Sequence, residues 1–272
     1  MKKSVVFVTG ASSGFGLETV TLLSKTYRVY AGVRNLEKAP QIEEVTFLKC
    51  DVTDPTEVQK AIQIIEENEG QLQYLINNAG SALGGFFEDI SDAQFRAQME
   101  VNFFGILNVT RAALPLMRKT PGNKKIVMLS SIAGLTGTPS VGAYNASKWA
   151  VEGFSESLLF EVKPFGIDVV LVEPGTFKTD IFTRNLNLGS EMDNPKSPYY
   201  LYSIRVKALF DKRIASVTRD PKHVAQLIET ILKKKTPKFR YLIGKDAIVR
   251  YWIRHLIPFS WYAKLIRLVV KL

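Results

Sequence analysis

Short apolar runs alternate with longer amphipathic stretches along most of this chain, and that rhythm restricts the fold more than any other feature. Ser4–Thr9, Arg28–Ala31, Val45–Lys49, Leu72–Asn77, Lys125–Ser130 and Gly166–Glu173 read as strands. Between them lie stretches of helical period. One runs from the glycines after Thr9 to about Lys25, and a second opens at Pro55, with Asp54 as N-cap, and continues to about Asn68. A third covers Ser91–Lys119, expected as two helices broken near Phe103–Gly105, and a fourth covers Tyr144–Val162. Repeated βα units of this kind build a parallel sheet with helices on both faces. After Pro174 the rhythm loosens, and 181–202 has no clear period. Helices resume near 200–214 and 221–233, the latter capped by Asp220.

A chain of 272 residues suits one large α/β domain, alone or with a small appendage. Its hydrophobic share of 46% and charged share of 23% are those of a globular protein and argue against disorder. The single cysteine, Cys50, excludes an internal disulfide framework, suits a reducing cytoplasm and reads as a small buried side chain. His223 and His255 lie far apart and point to no metal site. No signal peptide and no membrane-spanning apolar run is visible, so the location expected is cytoplasmic, with peripheral membrane contact as the alternative.

Thr9–Gly16 joins a strand to a helix with the pattern T-G-x-x-x-G-x-G. Gly10, Gly14 and Gly16 let the backbone turn sharply and approach a pyrophosphate, whose charge the helix N-terminus favours. A glycine turn alone is a weak signal, but its place directly after the first strand of a βαβ pattern favours a nucleotide role. Further marks follow in order. Asn77, Asn78, Ala79 and Gly80 end the fourth strand, Asn102 lies in the next helical region, Ser131 precedes Tyr144 by thirteen residues, and Lys148 is four residues beyond Tyr144. Pro174, Gly175 and Thr179 follow the sixth strand. Over residues 4–180 the chain thereby resembles the short-chain dehydrogenase/reductase superfamily. That resemblance implies an α/β, Rossmann-like, doubly wound parallel sheet of about seven strands. It also implies an oxidoreductase acting on CH–OH groups with NAD(P).

Tyr144 and Lys148 share one helix face. A phenol with a pKa of about 10 is a poor base near neutrality. A neighbouring ammonium and a positively charged oxidised nicotinamide are expected to lower it. Tyr144 then exchanges a proton with the alcohol or carbonyl oxygen, and Ser131 hydrogen-bonds and orients the same oxygen. The resemblance further implies that Lys148 grips the nicotinamide ribose and that Asn102 holds a water relaying protons to it. The cofactor is expected to meet Gly10, Ser12, Ser13, Gly14, Phe15, Gly16, Asn78, Ala79, Gly80, Tyr144, Lys148, Pro174, Gly175 and Thr179. Asp51 and Val52 are expected near the adenine, whereas Glu173 reads as structural. The second strand ends without an acid and is followed by Arg34, which can pair with a 2′-phosphate, so NADP(H) is preferred and NAD(H) remains the alternative.

Phe86, Phe87, Phe177, Ile181, Phe182, Tyr199, Tyr200, Tyr202, Leu209 and Phe210 point to an apolar pocket for a small hydrophobic ketone, aldehyde or alcohol. The look of the chain is similar to the hydroxysteroid/retinol dehydrogenase branch. A homodimer or homotetramer is expected from the same resemblance. Residues 1–245 are read as the catalytic domain, with substrate loops at about 180–215, and 246–272 as a basic amphipathic helical extension. The chain's net charge of +10 sits in the last forty residues, where eleven Lys/Arg face one acid, Asp246. In the second of two helices expected there, Ser260, Lys264, Arg267 and Lys271 form one face, and an apolar arc from Phe259 to Leu272 forms the rest. The favoured cover for that arc is the chain's own substrate region or a second subunit, with the basic stripe turned outward. The alternatives are a membrane interface and an acidic partner such as acyl carrier protein. Two other readings stand beside the soluble reductase: a carrier-linked or membrane-surface reductase of lipid carbonyls, and a non-catalytic dinucleotide-binding scaffold. Basic residues interleaved with bulky apolar ones argue against a nucleic-acid binder.

Overall fold

A computed structural model describes residues 3–182 and 185–270 of the chain, with Phe182 described by its backbone only. The elements in order are β1 (Val5–Thr9), α1 (Gly14–Leu23), β2 (Arg28–Val33), β3 (Val45–Lys49), α2 (Pro55–Glu69), β4 (Tyr74–Asn77) and β5 (Ala82–Gly84). Then come α3 (Asp92–Met99), α4 (Gly105–Lys119), β6 (Lys124–Leu129), α5 (Gly142–Val162), β7 (Ile167–Pro174) and β8 (Leu186–Leu188). The described chain ends with α6 (Tyr200–Ala215), α7 (Lys222–Lys233), β9 (Arg240–Ile243), α8 (Lys245–Leu256) and α9 (Phe259–Val270).

Seven strands form one parallel sheet in the order β3-β2-β1-β4-β6-β7-β9. Because strand side chains alternate, Val5 and Phe7 of β1 pack towards α2, α4 and α5, while Val6 and Val8 pack towards α1 and α7. A strand covered on both faces needs apolar residues at successive positions, which is why β1 reads as an unbroken run. The chain builds outward from β1 to β3 and then returns through β4 in the other direction. The order reverses between β1 and β4, and a crevice opens there at the carboxyl edge of the sheet.

The Rossmann-like doubly wound sheet expected of the chain is present, with some boundaries moved. Leu72 and Gln73 precede β4, and Gly166 is a left-handed turn residue with φ of 67° rather than the start of β7. Asp54 caps α2 by accepting from the N–H groups of Thr56 and Glu57. At the start of α7 the cap position is Pro221, and the Asp220 carboxylate accepts from the N–H of Lys222 one residue further in. The 91–119 region divides into α3 and α4 close to the expected place, and Glu100–Phe104 forms a wide π-turn that carries the chain from one into the other. The stretch after 180, expected to lack regular structure, contributes β8, which pairs in parallel with β5 as a separate two-stranded sheet. Three residues of which two are exposed leave no period for a sequence reading to detect. The four half-buried residues of β9 likewise escaped it.

Candidate active site

The glycine turn is held to the loop after β4 by side chains on both sides. Thr9 Oγ1 accepts from the N–H groups of Asn78 and Ala79, each at 3.1 Å. Asn78 Nδ2 donates back to the carbonyls of Thr9 and Gly10, at 2.9 and 3.0 Å. Gly10 has φ of 66°, and a Cβ there would sit 2.6 Å from Ala79 Cα, so backbone approach requires glycine at that position. A Cβ on Gly16 would collide with Asn78 Nδ2 at 2.5 Å. Ser13 precedes α1 without a side-chain cap, and no acid lies in the first turn. The positive end of the helix therefore faces the crevice with its N–H groups uncapped by side chains.

Three side chains meet on the other side of the crevice. Ser131 follows β6, accepts from the N–H of Ala133 at 3.1 Å and lines the same cleft as the Tyr144 phenol. Lys148, one turn further along α5, holds its ammonium 5.9 Å from the Tyr144 ring centre and donates to the Leu129 carbonyl at 2.8 Å. Asn102 sits in the π-turn, fully buried. Its Oδ1 accepts from Ser81 N–H at 2.9 Å, and its Nδ2 donates to the Ser81 carbonyl and the Ser147 hydroxyl, both at 3.0 Å. A Cβ added to Gly80 would lie 3.3 Å from Asn102 Oδ1 and 3.9 Å from Lys148 Nζ, so both groups converge on that bare backbone. Asn145, unremarked in the sequence, fixes the loop from Ser131 to Tyr144 by donating to the carbonyls of Ala133 and Thr136, each at 2.8 Å.

The protein's own groups set the starting electrostatics. Burial pushes the Tyr144 phenol up to about 12, and the Ser131 hydroxyl opposes this only in part. Burial also pulls Lys148 down to about 8, with Glu152 acting against it. The protein's own groups thus favour a neutral phenol, because desolvation in a closed pocket outweighs the opposing effect of Ser131. Below Lys148 on the same helix lies a buried charge cluster. Arg240 of β9 ion-pairs with Glu152 at 2.7 Å and with Glu173 of β7. Glu173 is fully buried and structural, as read from its place before Pro174. Glu152 and Arg240 went unnoticed, since acids and bases far apart in sequence give no local signal of pairing.

The far wall of the crevice is the segment after β7. Gly175 donates to the Ile243 carbonyl, and Thr176 N–H donates to Asp246 at 2.8 Å. Asp246 also ion-pairs with Arg219 and with Arg213. Burial alone would raise its pKa, but the Arg219 contact and the Thr176 N–H bring it down to about 2. The first turn of α8 therefore pins this wall. Thr179 faces the glycine turn, 3.5 Å from where a Cβ on Gly14 would stand, and its hydroxyl is buried without a partner.

Of the residues singled out in the sequence, Phe15, Asn78, Gly80, Ser131, Tyr144, Lys148, Pro174, Gly175 and Thr179 line one cleft, together with Phe177 and Ile181. Gly10, Ser12, Ser13, Gly14, Gly16 and Ala79 surround its glycine-turn end. Arg34, exposed, follows β2 at the same sheet edge. Beyond β3, Asp51 accepts from Thr53 at 2.9 Å, while Val52 is buried and packs where Gly105 leaves space. The aromatic residues are less united than expected. Phe177 packs edge-on against Phe15, and Phe86 stacks on Tyr199 at 4.9 Å, but Phe87 is 79% exposed and Leu209 is exposed too. The Phe182 side chain, Lys271 and Leu272 lie outside the described residues.

A family profile described as short chain dehydrogenase matches residues 4–187. The uncharacterized oxidoreductase YusZ of Bacillus subtilis is 38% identical over 98% of both chains. The 3-ketodihydrosphingosine reductase of Bacteroides thetaiotaomicron is also 38% identical, covering 90% of this chain and 89% of that protein. Among solved structures, a short-chain dehydrogenase from Streptomyces avermitilis superposes with a TM-score of 0.82 at 30% identity, over 97% of this chain and 96% of that one. A short chain dehydrogenase from Burkholderia cenocepacia in complex with NADP has a TM-score of 0.72 at 25% identity, over 97% and 98% of the two chains.

Proposed function

The chain belongs to the short-chain dehydrogenase family and is an oxidoreductase acting on CH–OH groups with NAD(P); from that premise we propose that it interconverts a hydrophobic ketone or aldehyde and its alcohol, preferring NADP(H), with Tyr144 as the general acid and base. The carrying observation is the Tyr144 phenol, sharing one cleft with Ser131 and one turn from Lys148, opposite the unpartnered hydroxyl of Thr179. A buried hydroxyl without a partner fits a ligand that supplies one. The glycine turn and the uncapped start of α1 fit a pyrophosphate.

When bound, the dinucleotide supplies or accepts the hydride. Ser131 and Tyr144 hold the substrate oxygen between two hydroxyls. In reduction the neutral phenol gives its proton to that oxygen as the carbonyl π pair moves onto it, and in oxidation the tyrosinate takes the proton back. A phenol held neutral by burial is in the protonated form that the donor role requires. Lys148, through its ammonium, returns the charge balance at Tyr144 and binds the ribose of the cofactor. Asn102 Oδ1, which has one hydrogen bond from Ser81, retains a lone pair for a relaying water. Arg34, exposed at the end of β2 with no acid before it, supports a 2′-phosphate contact. The substrate class rests on Phe177 and Ile181 in the cleft and on the ketone named for the Bacteroides relative.

The test is a panel of ketones of increasing chain length, read by cofactor absorbance with NADPH and NADH. The expected result is turnover that improves with chain length and is faster with NADPH. Equal kcat/KM with both cofactors would overturn the NADP(H) preference, and no turnover of any carbonyl or alcohol would overturn the substrate class.

A further inference from the structure

The packing of α8 and α9 covers only one side of each helix. Ala247 and Tyr262 are buried. The Tyr262 hydroxyl donates to the Gly137 carbonyl at 3.1 Å, which fastens α9 to the loop between Ser131 and Tyr144. Within the chain, this inner strip is the part of the apolar arc that the fold covers. At 100° per residue, Leu268, Trp261, Leu265 and Val269 form a continuous outer arc on α9, and Trp261 and Leu268 are 66% and 76% exposed. Arg267 and Lys264 lie along one border of that arc, both exposed. On α8, Ile248, Trp252 and Leu256 form a second exposed row, and at the corner between the helices Arg254 lies over the Phe259 ring at 5.6 Å.

We propose that the outer face of α8 and α9 docks onto the headgroup–acyl boundary of a bilayer carrying anionic lipid, beside the mouth of the catalytic cleft. Lys264, Arg267 and Arg254 border this face, and Asp246, the one acid of the last forty residues, is engaged internally by Arg219 and Arg213. The face thus complements a negative surface. A second copy packed antiparallel through α9 is a poor cover, because that two-fold contact would bring Lys264 and Arg267 against their own like charges. Basic residues bordering the apolar arc, rather than opposing it, let the aliphatic and indole groups enter the acyl region while the cations reach the headgroups. Each helix has 12 residues and is about 18 Å long, so it lies along an interface and does not cross it. No helix among the described residues is long and apolar enough to span a membrane. Entry of an apolar carbonyl substrate from the lipid side is the functional consequence, and that part rests on the proposed function.

The experiment is flotation of the full chain with vesicles of phosphatidylcholine alone or mixed with phosphatidylglycerol, at low and high salt. Wild type is expected to bind the mixed vesicles at least about tenfold more tightly, with binding lost at high salt. Replacing Lys264→Glu with Arg267→Glu, or Trp261→Ser with Leu268→Ser, is expected to reduce binding by about tenfold or more. Thermal stability and turnover of a water-miscible carbonyl should be unchanged in both variants. Absence of binding to the mixed vesicles overturns the proposal. So does binding that neither variant weakens, and so does self-association or capture by an acidic carrier protein through these residues without vesicle binding. The flotation readout needs no turnover, so a failure of the carbonyl-reductase reading leaves it standing, and the reverse also holds. With both in place, turnover of a vesicle-embedded long-chain ketone should fall in the variants.

Discussion

The first strand and the last helix both carry large apolar side chains and treat them in opposite ways. Val5–Val8 are fully buried, each side chain taken by one of the two helical layers, whereas in α9 Leu268 and Trp261 remain mostly exposed. The difference lies in the number of neighbours available. A central strand has two flanking strands and two faces of helices, while a helix on the outside of the fold has one packing surface and leaves the rest to solvent or a partner. An apolar run is therefore evidence of core only where the topology supplies a second wall.

If the buried half carries both the chemistry and the stability, the largest effect will come from its centre. Tyr144→Phe should lower kcat by about 10²–10⁴-fold while NADPH affinity, read by fluorescence titration, stays within about twofold. Retention of more than a few per cent of activity would remove Tyr144 from the acid–base role. Next is Arg240→Met, which strands Glu173 and Glu152 without their cation. The expected loss of unfolding free energy is about 3–5 kcal/mol by denaturant titration, and a loss under about 1 kcal/mol would mean that the cluster does not hold β7 to β9. Arg34→Ala should reduce the NADPH-over-NADH ratio of kcat/KM by about tenfold or more, as expected for charge-assisted contacts to a phosphate.

A smaller effect is expected at the junction of the two regions. Asp246 has a folded-state pKa depressed to about 2 against an ordinary value of 3.8. Its contribution is thus fully present above the ordinary value and is lost as pH falls from there towards 2, worth about 2 kcal/mol at most. Acid titration of Asp246→Asn should be flatter than that of wild type across this window. Identical profiles would show that α8 does not pin the wall after β7 through this charge. The smallest effect belongs to the outer face, where Trp261→Ser with Leu268→Ser should change stability by no more than about 0.5 kcal/mol. A loss several times larger would erase the contrast between the two regions and place the arc in the core.

Several parts of the site were legible because they depend on local rules. Two residues four apart on a helix share a face, a glycine turn between strand and helix admits a phosphate, and Asp54 before Pro55 starts a helix wherever that helix is placed. The succession of βα units likewise carried the parallel sheet. The linear chain did not decide properties that depend on what surrounds a group. Spacing placed Lys148 beside Tyr144, but the desolvation that favours the neutral phenol comes from closure of the pocket around both. Arg240 finds Glu152 and Glu173 only when β9 is laid beside β7, and Asp246 reaches Thr176 only when α8 turns back on that edge. The C-terminal arc was apolar by composition, but which strip of it is covered was decided by the one wall that the fold offers. Propensity and spacing act within a few residues, and sequence alone determines what they determine; desolvation, ion pairing and burial depend on atoms brought together from distant segments, and only tertiary structure supplies those.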